Sequence, residues 1–194
     1  MTSTGSSIAV HENLYFIAII PPPPIDQQAW DLKEYFKHHY GSKASLNSPP
    51  HITLHMPFRW REKKEGELTE KLSQFCNGNQ PVLIRFKNYG SFAPRVIFIN
   101  VEQNGQLDDL QRELQRFCKK TFNLFNANYK ELPFHPHLTL AFRDLKKSAF
   151  QKAWEEFRER IFQAEFTAEK IALLKHNGRH WEVSQEFQLQ KIQG

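Results

Sequence analysis

Pro49-Pro50-His51-Ile52-Thr53-Leu54-His55-Met56-Pro57-Phe58 and His135-Pro136-His137-Leu138-Thr139-Leu140-Ala141-Phe142 are two copies of one pattern. In each, a proline precedes His-x-Thr, and the run has the branched and apolar content of a β-strand. Successive strand side chains point to opposite faces. His51, Thr53 and His55 therefore share one face while Ile52 and Leu54 point into a core. In the second copy His137, Thr139 and Ala141 share a face, and Leu138, Leu140 and Phe142 point inward. Each strand sets an imidazole and a hydroxyl side by side on a polar surface.

The surroundings of the two stretches also match. Upstream of the first, Leu14 to Ile20 is a β-rich run stopped by Pro21 to Pro24. Asp26 then offers an N-cap, and Ala29, Leu32, Phe36 and Tyr40 recur at helical spacing until Gly41. Upstream of the second, Val96 to Val101 reads as a strand, and Leu107, Leu110, Leu114 and Phe117 form a helical stripe before an Asn-rich loop ending at Pro133. The histidines lie 86 positions apart and the opening strands 82 apart, which argues for duplication into two lobes. Each motif is expected to continue within its own lobe. After the first come a helix carrying Leu68, Leu72 and Phe75, a stop at Asn77-Gly78, and a strand from Val82 to Phe86. After the second, Ser148 and Gln151 suggest a capping box for a helix carrying Phe150, Ala153, Trp154, Phe157 and Ile161. Ala164 to Leu174 and Trp181 to Leu189 are the last two strands, joined by an Asn177-Gly178 hairpin. No linker separates the halves, so residues 1–194 are expected to form a single domain of two pseudo-symmetric lobes.

Composition limits what such a domain does. Of 194 residues, 40% are hydrophobic and 17 are Phe, enough for a substantial core without crosslinks. Lys and Arg exceed Asp and Glu by five charges, the sign expected for a polyanionic partner such as RNA. Cys76 and Cys118 lack any CxxC partner and read as small apolar fillers on helices in a reducing compartment. Met1 to Val10 is Ser/Thr-rich without Lys or Arg, and Leu14 to Ile20 is too short to span a bilayer. The chain is expected to be cytoplasmic, without membrane contact, and monomeric.

If the lobes meet about a pseudo-twofold axis, two imidazoles and two hydroxyls converge across a groove. That arrangement suits an RNA-type phosphodiester. His titrates near pH 6.5, so one neutral imidazole can take a proton from water or a ribose hydroxyl while the other, protonated, gives one to the departing oxygen. The Thr53 and Thr139 hydroxyls can donate to the non-bridging oxygens, where charge builds. Which histidine is acid and which is base is left open. A metal site from His51, His55, His135 and His137 is set aside, because zinc-binding helices space His at i and i+4 around an acidic residue, and these lie in β-type runs without one. No cofactor is called for, and no P-loop, dinucleotide glycine pattern or GxSxG elbow is present. Among substrate-binding candidates, Arg143 has the parity of His137 and is placed on the groove side, where it either binds phosphate bidentately or is a plain exposed arginine. His55 shares the face of His51, with packing as the competing role, and His135 either contacts substrate or finishes a loop. Phe16, Phe58 and Phe92 are candidates to stack a base, against a default place in the core.

The doubled motif resembles the paired signatures of the two-histidine phosphoesterase superfamily, in particular the 2′-5′ RNA ligase-like group, also called RNA 2′,3′-cyclic phosphodiesterases. The resemblance runs from about Leu14 to Leu189 and includes the Leu14-Tyr15-Phe16 strand and a Gly90-Ser91-Phe92 turn. It implies an α+β, duplicated bilobal fold with two antiparallel sheets facing a central cleft and helices outside. It also implies a hydrolase of RNA processing that opens 2′,3′-cyclic phosphate ends without metal, in some members with reversible 2′-5′ ligation. Carried over, His51 and His137 are acid and base, and Thr53 and Thr139 hold the phosphate. One departure is His55-Met56-Pro57-Phe58, where many relatives have a Phe-Leu-Gly-like turn. The alternatives are a phosphodiesterase of a small cyclic nucleotide or other phosphodiester, and a binding module that keeps the cleft without catalysis.

Overall fold

The computed structural model describes residues 11–190; the Met1 to Val10 stretch read above lies outside them. Among the described residues, eight strands and four α-helices follow in the order β1 (Glu12–Ile19), α1 (Ile25–Tyr40), β2 (Ile52–Arg61), α2 (Glu65–Cys76), β3 (Val82–Phe92), β4 (Val96–Val101), α3 (Gly105–Phe122), β5 (His137–Ala141), α4 (Lys147–Phe157), β6 (Gln163–Ala168), β7 (Lys170–His176) and β8 (Trp181–Gln188). The expected α+β class is what the chain adopts. Every strand pair is antiparallel, and the strands hydrogen-bond in the spatial order β6-β3-β4-β5-β2-β1-β7-β8. In place of two separate sheets, the strands form one continuous sheet of two four-stranded halves. It is pinched at the centre, where β2 and β5 share a single registered pair, Ile52 opposite Leu138.

The halves exchange strands, which corrects the expectation that each motif continues within its own lobe. β3 pairs with β4 and β6, in the half that contains β5, because the short turn at 93–95 makes β3 and β4 a hairpin. The expected strand from Ala164 to Leu174 breaks at Glu169 into β6 and β7, which belong to opposite halves. Gly90-Ser91-Phe92 is strand rather than turn. The Asn177-Gly178 signal does mark the β7–β8 hairpin, with Gly178 at φ +95° and the Asn177 side-chain carbonyl accepting from the amides of Arg179 and His180.

Apolar residues of all four helices and of the inward strand positions merge in the main core, among them Ala29, Phe36, Leu72, Leu114, Leu138 and Phe157. The other face of β1 and β7 carries a small separate cluster, Phe16, Ala18, Ala172 and Leu174. The helices thus cover one face of the sheet and leave the other to the site. Two expected caps are not made. Pro24 occupies the N-cap of α1 and Asp26 lies in its first turn, while α4 starts after Lys146 with Ser148 already inside it. Asn104 does cap α3, accepting from the Leu107 amide at 2.8 Å. Ile161 falls beyond the end of α4 and is exposed. Cys76 and Cys118 are free and buried on α2 and α3, and burial pushes both thiols up to about 12. Among the described residues, no helix is long and apolar enough to cross a membrane.

Candidate active site

The pinch point builds the site. Ile52 and Leu138 are wholly buried on the helix side, so their chain neighbours turn to the open face. In an antiparallel pair, one step from Ile52–Leu138 sets His51 opposite Thr139, and one step the other way sets Thr53 opposite His137. On that register the two motifs meet at the pinch, each histidine facing the strand position of the other motif's threonine. All four residues are half-buried, held by the sheet yet open to solvent.

Each imidazole is fixed in the same way. His51 Nδ1 donates to the Pro49 carbonyl at 2.7 Å, and His137 Nδ1 donates to the His135 carbonyl at 2.6 Å. With the hydrogen on Nδ1, the Nε2 lone pair of the neutral ring is left for chemistry. An aromatic ring also backs each histidine, Phe16 against His51 and Phe98 against His137, both at 4.8 Å between centroids. Phe16 and Phe98 are 82 positions apart, the offset between the opening strands. That offset is the sequence signal for Phe98, which a reading of single motifs misses.

The electrostatics separate the two histidines. Enclosure by protein pushes the His51 imidazole down to about 3, helped by the Lys33 ammonium and by the positive charge of His137, against the bond to Pro49. Burial also lowers His137, opposed by its bond to the His135 carbonyl. Lys33 is a residue that the motifs do not point to. It is buried on α1, its Nζ donating to the carbonyls of Ser45 and Ser48 at 2.9 Å each, and burial lowers it to about 7. Its signal is a lysine between Ala29 and Phe36 on the helix's apolar stripe. The loop that Lys33 grips leads into Pro49 and His51. The same loop is tied to β5 by Ser45 Oγ donating to the Leu140 carbonyl, and to Asp144 by Ser42 and the amides of Lys43 and Ala44.

The remaining candidates divide. Phe16 lies on the open face between His51 and Trp181. Phe92 is exposed with its ring edge-on to His137 at 5.2 Å, and the exposed His135 packs against Phe92 and Phe98. His55 and Phe58 are not in the cleft. β2 carries an extra residue between the Ala18–Thr53 and Ile17–His55 pairs, so the face alternation flips after Thr53. His55 is buried on the core side against Phe58, which stacks on Tyr15; its Nδ1 donates to Met56 and its Nε2 has no partner. Arg143 escapes the parity of His137 because β5 stops at Ala141. The residue takes a left-handed backbone and folds its guanidinium over the Phe142 ring. Among the described residues, no three of His, Cys, Asp or Glu converge as a metal site would require.

A family model described as the 2′-5′ RNA ligase superfamily matches residues 21–180. A Bacillus cytotoxicus protein named "Putative phosphoesterase" is 29% identical over 178 residues, 90% of this chain and 96% of the relative. Of solved structures, TT0787 of Thermus thermophilus is 20% identical with a TM-score of 0.63, over 93% of this chain and 100% of that one. E. coli LigT complexed with 3′-AMP is 18% identical with a TM-score of 0.65, over 92% and 99%. At these identities the two structures speak for the fold.

Proposed function

The chain belongs to the 2′-5′ RNA ligase superfamily, and from that premise we propose that it is a metal-independent phosphodiesterase opening 2′,3′-cyclic phosphate ends of RNA. The observation that carries the proposal is the antiparallel pairing of Ile52 with Leu138, which brings the two His-x-Thr stretches together at the pinch. His51 is the base. Enclosed and facing other positive charge, it stays neutral at ordinary pH, and its Nε2 takes a proton from the attacking water. His137 is the acid and gives its Nε2 proton to the departing 3′ oxygen. The phosphorus–oxygen bond to that oxygen breaks as the bond to water forms, leaving a 2′-phosphate and a 3′-hydroxyl. Thr53 and Thr139 donate to the non-bridging oxygens. With a 5′-hydroxyl in place of water as the attacking group, the same proton transfers serve 2′-5′ ligation: the bond from phosphorus to the 5′ oxygen forms as the bond to the 3′ oxygen breaks. The net charge of +5 favours an RNA end as substrate, and a nucleotide in the related LigT structure is consistent with that class. The buried free thiols fit a reducing compartment such as the cytoplasm.

The test is turnover, in EDTA, of an RNA ending in 2′,3′-cyclic phosphate, with identification of the product isomer. The 2′-phosphate is expected. His51→Ala and His137→Ala should each lower kcat by at least about a hundredfold, the usual scale of a positioned proton transfer. Activity that survives both substitutions, or that EDTA removes, overturns the mechanism. Turnover of cyclic mononucleotides but not of RNA would move the substrate to the small-nucleotide class.

A further inference from the structure

We propose that the hollow between Trp30 and Trp181 is a nucleobase subsite, holding the base of the nucleotide whose phosphate lies between His51 and His137. This rests on the phosphodiester reading above and adds where the rest of the substrate goes. The hollow has a volume of about 310 Å³ and is walled by Trp30 of α1, the 46–49 loop and the 180–183 part of the β7–β8 hairpin.

Two of its walls are the groups that fix His51. Pro49 lines the hollow, and its carbonyl takes the His51 Nδ1 hydrogen. Trp181 lines it too and stands edge-on to Phe16 at 4.7 Å, whose other side packs on His51 at 4.8 Å. Phe16 thus stands between Trp181 and His51, and the hollow lies one side chain from the reacting centre.

Its chemistry selects a base. Both indoles are half-buried. Trp181 packs on the Phe16, Ala18, Ala172 and Leu174 cluster and edge-on to His176, and Lys33 Nζ lies 5.9 Å from the Trp30 ring centroid, so each indole offers the hollow the ring surface that these neighbours leave free. Stacking on such surfaces accepts any base. Asn47 and His180 add hydrogen-bonding edges, while Glu182 and the absence of Lys or Arg from the lining argue against a second phosphate there. The volume is at the lower end of the roughly 300–1,000 Å³ of ligand pockets, enough for one nucleoside and too small for an oligonucleotide. The walls are pre-set. Lys33 clamps the loop through the Ser45 and Ser48 carbonyls, and Asn177 closes the hairpin. A base thus loses little to ordering the protein on entry.

The test compares two substrates, adenosine 2′,3′-cyclic phosphate and methyl ribofuranoside 2′,3′-cyclic phosphate, which lacks the base. The wild-type chain should prefer the first in kcat/KM, and Trp30→Leu and Trp181→Leu should each shrink that preference about tenfold, the scale of one base–aromatic stack. Trp30→Phe, which keeps a ring, should retain most of it. Adenosine 2′-phosphate should quench tryptophan fluorescence in His137→Ala, and the quench should weaken when Trp30→Leu is added, a readout independent of turnover. A preference untouched by either leucine variant, or a quench unchanged by Trp30→Leu, overturns the subsite. Absence of turnover on both substrates with the quench intact instead overturns the catalytic reading and leaves the subsite standing.

Discussion

At the scale of single residues, the proposed roles make the contrast between His51 and His137 govern behaviour with pH. Both imidazoles are held below the ordinary value of 6.5, His51 as far as about 3. A base must be neutral and an acid protonated. His51 meets its condition throughout the ordinary range, whereas His137 loses its proton as pH rises through a value under 6.5. In the free enzyme kcat/KM should therefore climb as pH falls from about 8 towards about 5, with no loss on the acid side until His51 titrates. A profile that rises towards alkaline pH would exchange or remove these roles. His55 gives a stability prediction. Its folded value is lowered by burial, so below pH 6.5 the unfolded chain binds a proton that the folded chain refuses, and stability falls as pH drops. His55→Phe removes that titration together with the unpartnered buried Nε2, so its Tm should decline less between about pH 6.5 and about 4.5 than that of the parent. The His-x-Thr residues are legible in the sequence because strand alternation needs no long-range knowledge. His55 is misplaced by that alternation because the extra residue in β2 depends on pairing with β1, and Arg143 because alternation ends where its strand does.

At the scale of elements, the strands behind the histidines carry the fine positioning. Gly90 of β3 sits opposite Phe98 of β4, and a Cβ there would fall 2.4 Å from the Phe98 ring and 2.6 Å from Asn100 Oδ1. The Phe98 ring is buried and touches His137. Gly90→Ala should thus cost about 1–3 kcal/mol, the usual scale of overpacking, and should also lower kcat by displacing the ring behind His137, the proposed acid. Urea unfolding and steady-state kinetics on the same variant check both, and a stable, fully active Gly90→Ala would contradict this packing. In the sequence Gly90 looks like part of a turn, since glycine marks turns and close approaches alike, and only pairing with β4 tells them apart. Helices are more legible than their starts. The stripes of α1, α2 and α3 follow from periodicity, whereas the caps of α1 and α4 depend on how the chain enters each helix.

At the scale of the whole molecule, the duplication is visible in two near-equal offsets, but the exchange of strands between halves is not. Nothing in a strand's own residues says which neighbour it will bond, and chain order alone assigns β3 and β7 to the halves that precede them. The exchange has a thermodynamic consequence. With β1 paired to β7 and β3 to β4, neither the chain before residue 94 nor the chain after it contains a complete half-sheet. Urea unfolding should follow one transition, coincident by fluorescence and circular dichroism, whereas two resolved transitions would mean that the halves fold independently. The same pinch that makes the sheet continuous also brings the two motifs into register.

A structure of the protein with uridine and vanadate, which mimic the five-coordinate phosphorus, tests that convergence most directly. The expected result is vanadium between the two motifs, with His51 Nε2 and His137 Nε2 each at about 2.6–3.2 Å from an opposite apical oxygen, and with Thr53 and Thr139 donating to equatorial oxygens. Vanadate bound elsewhere, or contacted by one imidazole alone, would contradict it.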